Sequence, residues 1–249
     1  MMKFNIITLF PEMFVPLQTS MIGRASEKGV LDINLINPRD YSKDKHKKVD
    51  DYPFGGGQGM VMMPQPLFDC IRNNSLQNSK IYYMSPRGNV LDYQKIREIS
   101  CLSEATVLCG HYEGIDQRVL DEFDVEEISI GDYILTGGEL AAMVLVDAVS
   151  RMIPGVLSGE ESALEESVYS GLLEYNQYTQ PRKYEELGVP EVLYGGNHAL
   201  IKLWKLEESM RITLNRRPEL LRQFLQDENN WKSRSKEEKK VMEKYLQLL

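Results

Sequence analysis

Apolar and polar positions alternate in short blocks over the first 150 residues, and the blocks are of two kinds. Phe4–Leu9, Leu31–Ile36, Lys80–Met84, Thr106–Cys109 and Glu127–Ile130 are short apolar runs, which predicts strands. Between them, helices are predicted near Pro11–Ser20, Gln65–Arg72, Tyr93–Ser100 and Gln117–Phe123, with a longer one at about Glu139–Arg151. Strand and helix in turn predict an α/β domain with a mainly parallel sheet. Ligands of such sheets sit beyond the carboxyl ends of the strands. That singles out three loops: Ser85–Gly88, Gly110–Gly114 and Gly131–Gly138.

Residues 155–198 are different in character. They mix Gly, Ser, Pro, Tyr and acids with little periodicity, as a linker or a long ordered loop does. Helical spacing returns with Leu200, Leu203, Leu206, Met210 and Leu214, which form one apolar face. Pro218 suits the first turn of a following helix, and the tail Ser233–Leu249 is charged and amphipathic. No internal repeat is visible.

The 249 residues, 42% hydrophobic and 27% charged, suffice for one large domain or two modest ones. Apolar runs are too short to span a bilayer, so no membrane partner is expected. The N-terminus, MMKFNIITLFPEMF, reads as a first strand rather than a signal peptide. Cys70, Cys101 and Cys109 match no zinc spacing, and His46, His111 and His198 are scattered. Free thiols in a reducing cytoplasm and no metal site are the expectation. Net charge is −8, against a generic nucleic-acid binder, but it is unevenly spread. Residues 1–191 carry −12 and residues 192–249 carry +4, so the C-terminal part is suited to phosphate contact.

Three motifs carry candidate chemistry. The run Gly55-Gly56-Gly57-Gln58-Gly59 lacks the Gly-Lys-Ser/Thr ending of a P-loop and follows no buried strand. A hinge or close-approach loop fits it better than a nucleotide cradle. The basic stretch Lys43–Lys48 before it is a solvated loop or an RNA contact. The second motif, Cys109 to Arg118, puts His, Tyr and Glu between two glycines at a strand tip, with Asp116 placed to cap a helix. The third, Ser129 to Leu140, mixes glycines with apolar Ile130, Ile134 and Leu135. That mixture suits a ligand with an adenine face, ribose hydroxyls and a zwitterionic tail better than a bare phosphate.

Eight runs in order then carry a resemblance. They are FPEMF (10–14), NPRDYSKDKHKKVDD (37–51), PFGGGQGMVM (53–62), MSPRG (84–88), CGHYEGIDQR (109–118), SIGDYILTGGELAAM (129–143), DAVSRMIPGVL (147–157) and RRPELL (216–221). The chain resembles the bacterial tRNA (guanine-N1)-methyltransferases, the TrmD family, over nearly its whole length. The resemblance implies a SPOUT-type fold: an α/β domain with a mainly parallel sheet, a C-terminal trefoil knot and a small helical C-terminal domain. It implies a knotted cofactor-binding domain over 1–158, a connecting loop over 159–175 and a helical tRNA-binding domain over 176–249.

Carried over, the cofactor S-adenosylmethionine is held by three loops. The first gives Tyr83, Met84, Ser85 and Pro86, the second Gly110, Tyr112 and Glu113. The third gives Ser129, Ile130, Gly131, Asp132, Tyr133, Ile134, Leu135, Thr136, Gly137 and Gly138. The family also implies tRNA as partner, a homodimer with shared active sites, and use of Mg²⁺.

The reaction sets its own demands. N1 of guanine is protonated near neutral pH, so a general base should remove that proton as the nitrogen attacks a methyl group. Charge passing to O6 calls for a cation or donor there. The family assigns these roles to an Asp and an Arg. The Arg matches Arg151. At the Asp position this chain departs: Ala163-Leu164-Glu165-Glu166-Ser167-Val168-Tyr169 places Glu166 there, one methylene longer, with Glu161, Glu165 and Glu174 as alternatives. Lys202, Lys205, Arg211, Arg216 and Arg217 are the expected RNA contacts. Rival readings are a knotted methyltransferase for another nucleoside, a non-catalytic RNA-binding module, and a nucleotide hydrolase built on Gly55–Gly59.

Overall fold

Odd and even positions of the central strands face two different cores. The computed structural model describes residues 1–157 and 167–249. In it β1 (Met2–Ile7), β2 (Leu31–Ile36), β5 (Lys80–Val90), β6 (Glu104–Cys109) and β7 (Glu126–Ser129) form one sheet in the order β2-β1-β6-β5-β7. Every neighbouring pair is parallel, with Phe4 opposite Ile33 and Ala105, and Tyr82 opposite Val107. Phe4, Ile6, Tyr82, Met84, Val107 and Cys109 join one core; Ile7, Ile81, Tyr83 and Leu108 join the other. This is the period of two expected of a strand buried on both sides.

Helices cover both faces. α1 (Ser20–Glu27), α3 (Tyr93–Ser100) and α5 (Glu139–Ser150) supply Ile22, Ile96, Ile99, Ala142, Leu145 and Val149 to the first core. α2 (Pro64–Asn73) and α4 (Gln117–Glu122) supply Leu67, Ile71, Val119 and Leu120 to the second. A minimal hairpin, β3 (Asp50–Asp51) and β4 (Val61–Met62), brackets the Gly55–Gly59 run.

The helix expected near Pro11–Ser20 is present in a tighter form. Pro11–Gln18 is 3₁₀, not α, and carries Pro16 inside it. Proline has no N–H to donate and its ring clashes with the preceding turn, so the α-helix begins only at Ser20. The short α1, packed through Ile22, Gly23 and Ala25, gave too small an apolar face to be read from the sequence.

The described chain falls into two compact units, Met1–Glu160 and Glu161–Leu249. In the second, α6 (His198–Arg216), α7 (Pro218–Gln226), α8 (Glu228–Lys232) and α9 (Lys236–Leu246) follow a two-residue hairpin, β8 (Lys183–Tyr184) and β9 (Leu187–Gly188). Leu206, Met210, Leu221, Phe224, Leu225, Met242 and Tyr245 make its core. Leu206 and Met210 belong to the apolar face read from the sequence, whereas Leu200 at its start is exposed. Asn197 caps α6, and Ser235 with Glu238 forms a reciprocal capping box on α9.

Candidate functional site

Three strand ends meet at one place because their loops approach backbone to backbone. β5 runs in register with β7 to Met84, bulges over residues 85–88, and resumes pairing at Asn89. A Cβ at Gly88 would lie 2.3 Å from the Glu127 carbonyl carbon, so only glycine fits there. The Gly138 N–H donates to the Gly110 carbonyl at 2.9 Å, which clamps the loop after β7 to the end of β6. Ser129 Oγ accepts the Gly131 N–H at 3.1 Å and tightens the exit from β7.

These loops enclose a cavity of about 280 Å³. Its lining includes Tyr83, Met84, Ser85 and Pro86, then Gly110, Tyr112 and Glu113, then Ser129, Ile130, Gly131, Tyr133, Ile134, Leu135, Thr136, Gly137 and Gly138. Every cofactor residue expected from the sequence is therefore brought together except Asp132, whose side chain is exposed and does not line the cavity. Tyr83, Met84, Ser85 and Ser129 are buried and make the floor. Tyr112, Tyr133 and Ile134 are exposed, so one wall is apolar and open to solvent. Tyr112 holds a left-handed backbone (φ 59°), a conformation that costs free energy in a residue with a side chain and clusters at functional sites.

The lining also holds His111, Gly114 and Ile128, which lie in the expected loops without having been singled out, and Ala141, which lies beyond them. His111 Nε2 lies 2.7 Å from Glu139 Oε2, and the Thr8 hydroxyl donates to Glu139 Oε1 at 2.7 Å. Glu139 is almost fully buried at the first turn of α5, where the helix dipole favours its charge. The network ties the ends of β1, β6 and α5 together. Its only sequence signal was the place of His111 between Gly110 and Tyr112. Gly59 stands against the Glu113 side chain beside the cavity, whereas Gly55, Gly56 and Gly57 face open space in left-handed backbone.

Burial pushes the Cys109 thiol well up, with Glu139 adding to it, and the Cys70 thiol is pushed up to about 12, chiefly by burial. Neither is a nucleophile at neutral pH. The Arg118 side chain holds the Asp116 carboxyl below its ordinary range, against partial burial. Among the described residues no group of three His, Cys, Asp or Glu is arranged for a metal ion.

Arg151 lies just after α5, half-buried. Glu139, at the other end of that helix, adjoins the cavity. A rise of ~1.5 Å per residue separates Arg151 from it by roughly 18 Å. Glu166, Glu165 and Glu161 lie outside the described residues; Glu174 is exposed and bonds Gln177.

The expected RNA contacts lie on α6 and just beyond it. Lys202 pairs with Glu238 at 3.3 Å, and Lys205 sits 4.5 Å over the Tyr175 ring. Arg211 grips Glu208 with two bonds of 2.8 and 2.7 Å, and Arg217 bonds Glu219. Arg216 is exposed and forms no ion pair among the described residues. The Arg217–Glu219 pair is exposed on both sides, so a phosphate competes with it readily, whereas Lys202 and Arg211 face carboxylates that are largely buried.

A parallel sheet whose carboxyl-end loops close on one cavity defines an α/β domain built to hold a small molecule. Comparison with known proteins narrows that class. The model of the family described as tRNA (Guanine-1)-methyltransferase TrmD matches residues 2–223, and the chain belongs to that family. A tRNA (guanine-N(1)-)-methyltransferase of Alkaliphilus oremlandii is 53% identical over 233 residues, covering 90% of this chain and 94% of the relative. A protein of the same name from Caldanaerobacter subterraneus subsp. tengcongensis is 58% identical over 223 residues, covering 89% and 92%. One from Ruminiclostridium cellulolyticum is 55% identical over 223 residues, covering 88% and 96%.

Proposed function

We propose that this chain transfers a methyl group from S-adenosylmethionine to N1 of the guanosine 3′ to the anticodon in tRNA. The observation that carries it is the convergence of three loops, in a chain of this family, on one glycine-walled cavity. The cavity fits the cofactor chemically. Gly110, Gly137 and Gly138 let the loops close around it, since a Cβ at each would strike Tyr83, His111 or the Cys109 backbone. Ile130, Ile134 and Leu135 offer apolar surface to an adenine, and the backbone groups of Ile130, Tyr133 and Leu135 offer its hydrogen bonds. When bound, the cofactor supplies an electrophilic methyl group.

The chain's own residues do the rest. Glu166 accepts the N1 proton, and Arg151 faces the charge that develops on O6. The cavity loops fix one reactant so that alignment contributes to the rate. The expected Mg²⁺ has no ligand cluster among the described residues, and no step here is routed through one.

The reading includes a homodimer with shared active sites. Arg151 lies at the far end of α5 from Glu139, roughly 18 Å along the helix, which supports its delivery to the cavity of a second copy. α5 is apolar nearly all round, yet Leu140 and Val144, one turn apart, are each 48% exposed. A helix of that composition is normally covered. The trefoil knot is supported by the press of Gly138 on Cys109 and Gly110 at the end of β6. The first unit, with its limit near residue 158, holds the cofactor; residues 159–175 connect; the helices of 176–249 hold tRNA. No helix among the described residues is long and apolar enough to cross a membrane, and a tRNA substrate supports a cytoplasmic reaction.

The test is transfer of labelled methyl to unmodified tRNA. A transcript with adenosine in place of the target guanosine should accept none. Equal labelling of both transcripts would favour a knotted methyltransferase for another nucleoside.

A further inference from the structure

The second unit has a cavity of its own, of about 370 Å³. That volume is within the range of about 300–1,000 Å³ usual for small-molecule pockets. Tyr178, Thr179, Gln180, Arg182 and Tyr194 line it, with two aliphatic side chains. The aromatic rings lie outside the unit's hydrophobic core: Tyr178 is 47% and Tyr194 41% exposed, whereas Phe224 and Tyr245 are buried. The Arg182 guanidinium lies 4.6 Å from the centre of the Tyr194 ring and has no ion pair among the described residues. This sets it apart from Arg211 and Arg217, which hold carboxylates. Beside it, the Thr179 hydroxyl and the Gln180 amide have no hydrogen-bond partner among the described residues. Tyr178 continues into a half-buried aromatic run, with Trp204 at 6.4 Å and Lys205 over Tyr175.

A planar cation parked on a ring, a second exposed ring and idle amide and hydroxyl groups form a stacking platform with an edge reader. Single-stranded RNA is recognised in this way, through bases stacked on aromatic and guanidinium planes and hydrogen-bonded along their edges. A bare phosphate would want more than one cation here, and an apolar ligand would strand Gln180 and Arg182.

We propose that this pocket takes one unpaired base of the tRNA, other than the guanine that is methylated. The base stacks on the Tyr178–Arg182–Tyr194 group, and Thr179 and Gln180 bond its edge. The proposal rests on the tRNA-methyltransferase reading.

The test uses the intact protein and tRNA transcripts in which 2-aminopurine replaces one unpaired nucleotide at a time. At one position, binding should quench fluorescence in the wild-type protein. Tyr194→Leu and Arg182→Ala should abolish the quench and raise the tRNA Kd about tenfold. Tyr194→Phe, which keeps the ring, should behave as wild type, and the Kd for S-adenosylmethionine should not move. The proposal is overturned if no position is quenched, or if well-folded Leu and Ala variants keep both quench and affinity. It is also overturned if those variants lower the sedimentation mass, because the pocket is then a contact between copies. A wild-type protein that binds cofactor but neither binds nor methylates tRNA overturns this proposal and the methyltransferase reading together. Normal methylation without a quench overturns this proposal alone.

Discussion

A Cβ at Gly138 would stand 2.9 Å from Cys109 Cα and 3.0 Å from Gly110 N. Both are backbone atoms and cannot swing aside. Gly138→Ala should therefore part the loops and weaken S-adenosylmethionine binding by at least about tenfold, with thermal stability lowered as well. Calorimetric titration showing an unchanged Kd would mean the cavity does not depend on this approach. Glu166 makes a sharper demand. Glu166→Gln should slow single-turnover methyl transfer by about 10²–10⁴-fold while cofactor affinity stays the same; near-normal turnover removes Glu166 from the role and points to Glu161, Glu165 or Glu174. At this scale the sequence was informative wherever glycines and polar residues clustered at a strand end. It could not separate Asp132 from its neighbours, because a contiguous run does not say which side chains turn inward. It gave no hint of the bond between His111 and Glu139, whose partners are 28 residues apart.

Helices and strands were read well where one force dominated. The short run Leu31–Ile36 kept its period of two at the sheet edge, so β2 was placed at its true bounds, and the helical spacing of α3 placed it likewise. The 3₁₀ segment at Pro11–Gln18 was read simply as a helix because apolar spacing there outweighed the single Pro16. Caps are the next level of control. Asp116 accepts the Arg118 N–H at 3.0 Å and the Arg118 guanidinium at 2.8 and 2.7 Å, fixing the start of α4 just after the Gly110–Gly114 loop. The Arg118 side chain is the main cause of its depressed pKa. A depressed carboxyl contributes stability that is full above its unfolded pKa of about 3.9. That contribution is lost as pH falls through the lower folded value. Asp116→Ala should cost about 1 kcal/mol at neutral pH. Asp116→Asn should keep most of the cap and flatten the acid limb of stability, as denaturant melts across that range would show. An unaltered acid limb in the Asn variant would assign the pH dependence to other carboxylates.

On the scale of the whole molecule, charge and threading matter most. The basic balance of residues 192–249 was legible from composition, and the structure sets Lys202, Lys205, Arg211, Arg216 and Arg217 on and next to one helix. If they meet phosphates, tRNA affinity should fall about 10²-fold between 50 and 200 mM salt. Arg216→Ala should then reduce the salt slope by about one. A salt-independent Kd, measured by filter binding, would separate these residues from RNA. The knot and the shared active site were not legible from periodicity. Both depend on which segment passes which, and on a second copy. Both come from the family resemblance and belong to the proposed function.

One measurement bears on the central claim most directly. The protein is incubated with S-adenosylmethionine and unmodified tRNA, the RNA is digested, and the nucleosides are identified by mass spectrometry with the modified position mapped. N1-methylguanosine at the site 3′ to the anticodon is the predicted product. A methyl group on any other atom or nucleoside, or tRNA bound but left unmethylated, would contradict it.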